Sequence, residues 1–270
     1  MLEPHRVKER RPRARSTEKP TIGEAPTSFF MAWRDIAFWI RSARADAALA
    51  KLRARMGLRE SFNQLYRSMR DPWGATSQRY RYQKQKYQGL LSILPNREYD
   101  NVLDVGCGLG ALARWLTPHA RQILGIDISD EAITEARRMS RGLTNVRYLQ
   151  ADIYDFQAQG QVFDLIVLAD VLYYLAPLNE CTLKLLIEKI ARLLSPGGLL
   201  LLTNHYFFKI DRASRTTSLL HDFFCRSPWL IRVAEYARAF YLATLMERIK
   251  DSENPRLVSA ISTEPTRCWL

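Results

Sequence analysis

Val102-Leu103-Asp104-Val105-Gly106-Cys107-Gly108-Leu109-Gly110-Ala111 is the stretch on which the reading of this chain turns. A short apolar run with the branched residues of a buried strand meets a glycine-rich turn, and Ala111 to Leu116 then opens a helix that Pro118 limits. Glycines at such a turn let the backbone bend sharply and let a ligand come close to the main chain. Downstream, strand and helix alternate. Gln122 to Ile128 reads as a strand, and Asp130 to Arg141 as a helix capped by Ser129 or Asp130 and closed by Gly142. Val146 to Ala151 is a third strand. Phe163 to Ala169 is a near-continuous apolar run of the kind found in parallel sheets covered on both faces. Asn179 to Leu194 is a long helix, followed by the turn Pro196-Gly197-Gly198, a fifth strand from Leu199 to Thr203, and an aromatic, β-rich region. This alternation predicts right-handed βαβ units and an α/β fold of Rossmann-like, doubly wound type.

The acids lie at the strand ends. Asp127 stands 21 residues after Gly106, where a carboxylate can accept both ribose hydroxyls of an adenosine. Asp152 ends the third strand, where an acid can accept from an adenine amino group with Ile153 or Tyr154 against the ring. Gly106-x-Gly108-x-x-Ala111 also satisfies the dinucleotide pattern. Three features favour another ligand. Asp104, two residues before the first glycine, can receive a positively charged amino group, which a nicotinamide dinucleotide lacks. The glycine spacing continues as GxGxG, and the Pro-Gly-Gly turn precedes a late strand.

The ordered set VLDVGCGLG, LGIDIS, VRYLQADIYDF, FDLIVLADVLYYL and LLSPGGLLLLT resembles the class I S-adenosylmethionine-dependent methyltransferases across residues 100–203. The resemblance implies a seven-stranded sheet with an antiparallel last strand, for which Phe240 to Glu247 is the candidate, and S-adenosyl-L-methionine as cofactor. It implies that Gly106, Gly108 and Gly110 cradle the methionine portion with Asp104 on its ammonium. Asp127, with Ile128 beside it, would hold the ribose, Asp152 and Ile153 would flank the adenine, and Asp170 would face the methyl-transfer zone. A narrower likeness joins Asp71-Pro72-Trp73-Gly74, Tyr80 and Tyr87 to FDLIVLADVLYYL and FYLATLME. It is to the nodulation protein S family, which N-methylates the free glucosamine nitrogen of chitooligosaccharides. The spacing of Tyr80 and Tyr87 and the long tail depart from that family.

Methyl transfer from a sulfonium is an in-line displacement that needs mainly proximity and alignment. A base is required only for an acceptor that arrives protonated. Asp170, Tyr173 and His205 are the candidate catalytic groups, with Tyr174 as a further pocket wall. Tyr80, Lys84, Tyr87 and Leu91 share a helical face that can form a lid, and Trp73 can stack on a sugar, seat the lid or fill core. The pattern Asn/Asp-Pro-Pro-Tyr/Phe, common in enzymes that methylate base amino groups, is absent after the fourth strand.

Charge is uneven. Residues 1–70 hold 16 Lys/Arg against 7 Asp/Glu, a balance of +9 out of the total +12, so the basic character belongs to an N-terminal extension. Residues 1–27 read as a disordered basic tail, 28–69 as a helical extension, 70–250 as the methyltransferase domain and 251–270 as a C-terminal tail. In the extension Phe29, Trp33, Ile36 and Ile40 form one apolar face, followed by Arg41, Arg44, Lys51, Arg53 and Arg55. That face suits packing on the domain or a partner chain, or a basic amphipathic helix on a membrane surface. Alternatively, Met31, Met56 or Met69 begins a complete enzyme. Weak contact of residues 1–56 with nucleic acid is the basis of a second reading, an RNA methyltransferase. The four cysteines, 107, 181, 225 and 268, lack any CxxC pair and suit a reducing cytoplasm. No apolar run is long enough to span a bilayer, and the start lacks a secretory pattern.

Overall fold

A computed structural model describes residues 33–175, 179–206, 211–238 and 240–249. The tail 1–27, Phe29, the Trp33 side chain and the stretch 251–270 lie outside the described residues.

Seven strands make one sheet: β1 (Tyr99–Val105), β2 (Ala120–Asp127), β3 (Val146–Gln150), β4 (Phe163–Ala169), β5 (Leu194–Tyr206), β6 (Leu230–Arg238) and β7 (Phe240–Arg248). Their order is β3-β2-β1-β4-β5-β7-β6. The first five are parallel, and β7 runs antiparallel to both its neighbours. The Phe240 strand thus takes the expected antiparallel place, while β6 is an addition that the sequence reading did not name. The Pro196 turn lies within β5, where the pairing slips between Phe163↔Leu194 and Leu165↔Leu199.

Alternation along the strands sends neighbouring residues to opposite faces. Val102 joins Ile123, Leu165 and Leu201 in one buried layer, while Leu103 and Val105 join Ile166, Leu168 and Leu200 in the other. The helices α3 (Arg81–Ser92), α4 (Ala111–Leu116) and α5 (Asp130–Met139) accompany the first layer, and α6 (Glu180–Leu193) and α7 (Arg212–Cys225) the second. Ser129 is the cap of α5, its side chain accepting from the Ala132 amide at 3.2 Å. Asn179 and Thr182 form a reciprocal capping box on α6.

The extension folds as α1 (Trp33–Arg53) and α2 (Leu58–Met69). Leu49 of α1 and Phe62, Leu65 and Tyr66 of α2 share a buried cluster with Leu109 and Ala132 of the α/β body. The apolar face expected of α1 is not the one that packs. Ile36 and Ile40 are 39% and 49% exposed, whereas Phe38, Ala45 and Leu49 are buried. Phe38 decides the rotation: its ring sits 5.5 Å from Tyr80 and 4.9 Å from Tyr82, an aromatic contact richer than two isoleucines offer. Cys107 and Cys225 are free thiols. Among the described residues no helix is long and apolar enough to cross a membrane.

Candidate active site

β1 lies between β2 and β4, so the chain leaves it on opposite sides and opens a crevice beyond the carboxyl ends of these strands. The glycine turn sits at that point. The amides of Gly106 and Cys107 both donate to the Ile126 carbonyl, at 2.8 and 3.0 Å, which ties the turn to β2. Gly106 has φ +69° and Gly108 φ +51°, a region that side-chain-bearing residues rarely adopt. A Cβ on Gly106 would run into the Val171 side chain, and one on Gly108 would stand 2.9 Å from the Tyr66 hydroxyl.

A single cavity of about 870 Å³ runs from this turn outward. It falls in the upper part of the roughly 300–1,000 Å³ range of small-molecule sites. One half is lined by Asp104, Gly106, Gly108, Asp127, Ile128, Asp152 and Ile153. Asp104 is 2% exposed, and its Oδ2 has no hydrogen-bond partner among the described residues. Burial first, and then the neighbouring Asp127 charge, push the Asp104 carboxyl up to about 7, against a lowering effect of the Ala113 amide. Burial likewise lifts Asp127 to about 6, although the Ser129 and Gly108 amides that it accepts, both at 2.9 Å, favour its ionised form. A buried acid with an orphaned oxygen between strand and turn is chemically suited to receive a cation. Asp152 Oδ1 accepts from the Tyr154 amide at 3.0 Å, and Ile153 is buried. The Cys107 thiol is pushed up by burial and by the two acids, so it stays protonated.

The other half is lined by Trp73, Tyr87, Asp170, Tyr173 and His205, together with groups that the sequence reading did not select: Trp39, Asp46, Tyr66, Gln83 and Lys86. Asp170 follows β4 with φ +56°. Lys86, only 3% exposed, pairs with Asp170 Oδ2. Tyr173 accepts from the His205 amide. Its phenol is pushed well up by burial and by Asp170. His205 Nε2 lies 3.2 Å from Asp211 Oδ2, and its ring meets Trp39 edge-on at 5.7 Å. A base-capable imidazole is therefore oriented by a carboxylate at the cavity wall.

Two of the selected residues do not line the cavity. Gly110, φ +69°, caps α4 and yields its Cβ space to the Tyr148 ring. Tyr80 is buried beneath Phe38 and supports α1. The face of α3 is also rotated from the one read in the sequence. Gln83, Lys86, Tyr87 and Leu90 are buried, while Lys84 is exposed. Helix α1 supplies a cavity wall through Trp39, Asp46 and Arg53. Asp46 Oδ1 accepts from both Trp73 Nε1 and the Tyr174 hydroxyl at 2.9 Å, and Arg41 donates to the Asp71 carbonyl at 2.8 Å. Neither Asp46 nor Lys86 was selected from the sequence: Asp46, exposed, is distinguished by its bonds to Trp73 and Tyr174, and Lys86 by its burial.

Residues 102–198 match the family model of a methyltransferase domain. Over 128 residues the chain is 34% identical to nodulation protein S of Rhizobium tropici, covering 47% of this chain and 52% of that protein. Over 146 residues it is 34% identical to the carboxy-S-adenosyl-L-methionine synthase of Aliivibrio fischeri (strain MJ11), covering 52% and 58%. The chain thus spans about half the length of the curated relatives it matches. The N-methyltransferase NodS of Bradyrhizobium japonicum WM9, solved with S-adenosyl-l-homocysteine, superposes with a TM-score of 0.57 at 21% identity, covering 77% of this chain and 98% of that one. In sequence over 102–198 the chain is similar to methyltransferase domains, nodulation protein S among them, and in fold its seven-stranded sheet resembles that of a solved N-methyltransferase.

Proposed function

We propose that this protein is an S-adenosylmethionine-dependent methyltransferase that acts on a small molecule, N-methylating an amino sugar or a short oligosaccharide. The observation that carries the cofactor reading is the unpartnered Oδ2 of buried Asp104 beside a turn whose glycine at 106 leaves no room for a Cβ. Asp104 would hold the ammonium of the methionine portion, Asp127 the ribose hydroxyls, and Asp152 with Ile153 the adenine. The bound cofactor supplies an activated methyl group on a sulfonium.

The acceptor half supports the rest of the reading. Trp73 and Tyr174, with ring centroids 5.5 Å apart, offer apolar faces, and Asp46, Asp170 and His205 offer hydrogen-bond acceptors. That mixture suits a hydroxyl-rich sugar carrying an amine. Asp170 would accept an N–H of the incoming amine and so direct its lone pair toward the methyl group. His205, oriented by Asp211, would take the proton that the methylated nitrogen sheds. The aromatic walls exclude water from the transfer. Its similarity to nodulation protein S and to an N-methyltransferase supports transfer to nitrogen.

Calorimetric titration with S-adenosylhomocysteine tests the cofactor half. Asp127→Ala is expected to weaken binding more than roughly tenfold through lost charge-assisted hydrogen bonds. Unchanged affinity would remove Asp127 from the ribose role. Mass spectrometry of a panel of amino sugars, chitooligosaccharides with a free terminal amine, and total RNA tests the acceptor half. A methyl gain confined to RNA would overturn the sugar reading.

A further inference from the structure

We infer that Lys86 is a positioning residue that acts through Asp170, holding this carboxylate in place to receive the N–H of the acceptor amine. The inference rests on the amine-methylation reading and deepens it.

Lys86 projects from the buried face of α3, and its side chain is 3% exposed. A lysine is expensive to bury, and one that merely filled space would be replaced to advantage by an apolar residue of similar length. Lys86 makes two contacts. Its Nζ pairs with Asp170 Oδ2 and stands 5.6 Å from the centroid of the Tyr241 ring. The partner is placed differently. Asp170 remains 43% exposed on its side chain and lines the cavity, so the lysine engages one oxygen from behind while the carboxylate stays available in front.

The backbone supports the same assignment. Asp170 occupies the left-handed region, φ +56°, and its amide donates to the Thr203 carbonyl of β5 at 2.8 Å. Such a conformation costs free energy in a residue with a Cβ and persists where the surroundings over-determine it. The Thr203 carbonyl fixes the peptide and Lys86 fixes the side chain. The Asp170 charge acts on the phenols of Tyr82, Tyr87, Tyr173 and Tyr174, each pushed up first by burial and further by nearby negative charge, and therefore neutral. Lys86 is thus the group that holds the Asp170 carboxylate in place.

Lys86→Met and Lys86→Arg test this on two readouts. In the first, kcat and KM are measured with a chitooligosaccharide bearing a free terminal glucosamine amine, and S-adenosylhomocysteine affinity is measured by calorimetry. Lys86→Met is expected to lower kcat by roughly 30-fold or more, within the span of lost acid–base and positioning effects, while cofactor-product affinity changes by less than about threefold. Lys86→Arg is expected to recover most of the loss. In the second, which needs no acceptor, the Asp170 carboxyl resonance is recorded by carbon NMR on aspartate-labelled protein, assigned with Asp170→Asn. Loss of the Lys86 contact is expected to displace that resonance in Lys86→Met and to leave it near its wild-type position in Lys86→Arg. An unmoved resonance in Lys86→Met overturns the inference, as does an equal loss of kcat in the Arg and Met variants that follows their melting temperatures. If the wild-type protein methylates no amine, the acceptor reading falls, and the NMR comparison still decides whether Lys86 positions Asp170. Should Lys86→Met not fold, Lys86→Gln removes the charge while keeping a donor and serves in the same comparison.

Discussion

Replacing Asp104 by Asn separates charge from shape at the bottom of the cofactor half. Asp104 is 2% exposed, and its carboxyl is pushed up to about 7, chiefly by burial and secondarily by Asp127. A ligand ammonium needs the ionised form. Affinity for S-adenosylhomocysteine should therefore fall as pH drops through the Asp104 midpoint. With a midpoint of about 7 the ionised fraction is about 0.9 at pH 8 and about 0.1 at pH 6, a change of about tenfold, or about 1.4 kcal/mol. Asn keeps the size but not the charge, so its affinity at pH 8 should be lower by roughly 2 kcal/mol, the worth of one charge-assisted hydrogen bond, and nearly flat over the same range. Asp127, raised to about 6, is itself about half protonated at pH 6, so it adds roughly a twofold loss at the acid end of the window in both proteins.

Stability should move in the opposite direction. The folded carboxyl keeps its proton up to about 7 against 3.8 in the reference state, so between these values the folded protein binds more protons than the unfolded chain. Ligand-free stability then falls with rising pH across that window, by up to about 4 kcal/mol for three pKa units. Asp104→Asn should abolish its share of this slope and melt higher than the wild-type protein at pH 8 without ligand. Calorimetric titration and thermal melts at matched pH supply both numbers. An Asn variant that binds as tightly as wild type at pH 8 with the same pH slope would refute the ammonium role of Asp104.

Two further perturbations address the turn and the wall. Gly106→Ala puts a Cβ at φ +69° against the Val171 side chain. It should cost roughly 1–3 kcal/mol in urea unfolding and weaken cofactor-product binding, and an unchanged midpoint would show that the turn relaxes freely. Asp46→Ala releases Trp73 and Tyr174, both of which Asp46 holds at 2.9 Å. It should raise the acceptor KM roughly tenfold by loosening the aromatic wall, with S-adenosylhomocysteine affinity little changed; a loss confined to cofactor binding would place Asp46 in the wrong half of the cavity.

The α/β body follows from local rules that a sequence displays. Phe163–Ala169 is a strand at the boundaries read from its apolar run, and Ala111–Leu116 is a helix between the glycine turn and Pro118. Ser129 and Asn179 cap helices because their side chains serve the nearest free amides. The acids at strand ends were equally visible, since strand termini and glycine turns are marked by residue type. What belongs to tertiary structure is rotation and long-range company. Lys86, not Lys84, faces the cavity, and Phe38, not Ile36 or Ile40, seats α1. A helix with several amphipathic solutions takes its rotation from the surface it meets, and that surface here is built from residues far away in the chain. Tyr80 and Gly110 left the site for the same reason: each fills space beside a distant ring, Phe38 and Tyr148. The partnership of Lys86 with Asp170, 84 residues apart, has no signature along the chain, because a buried charge and a solvated one look alike until a neighbour is packed over them.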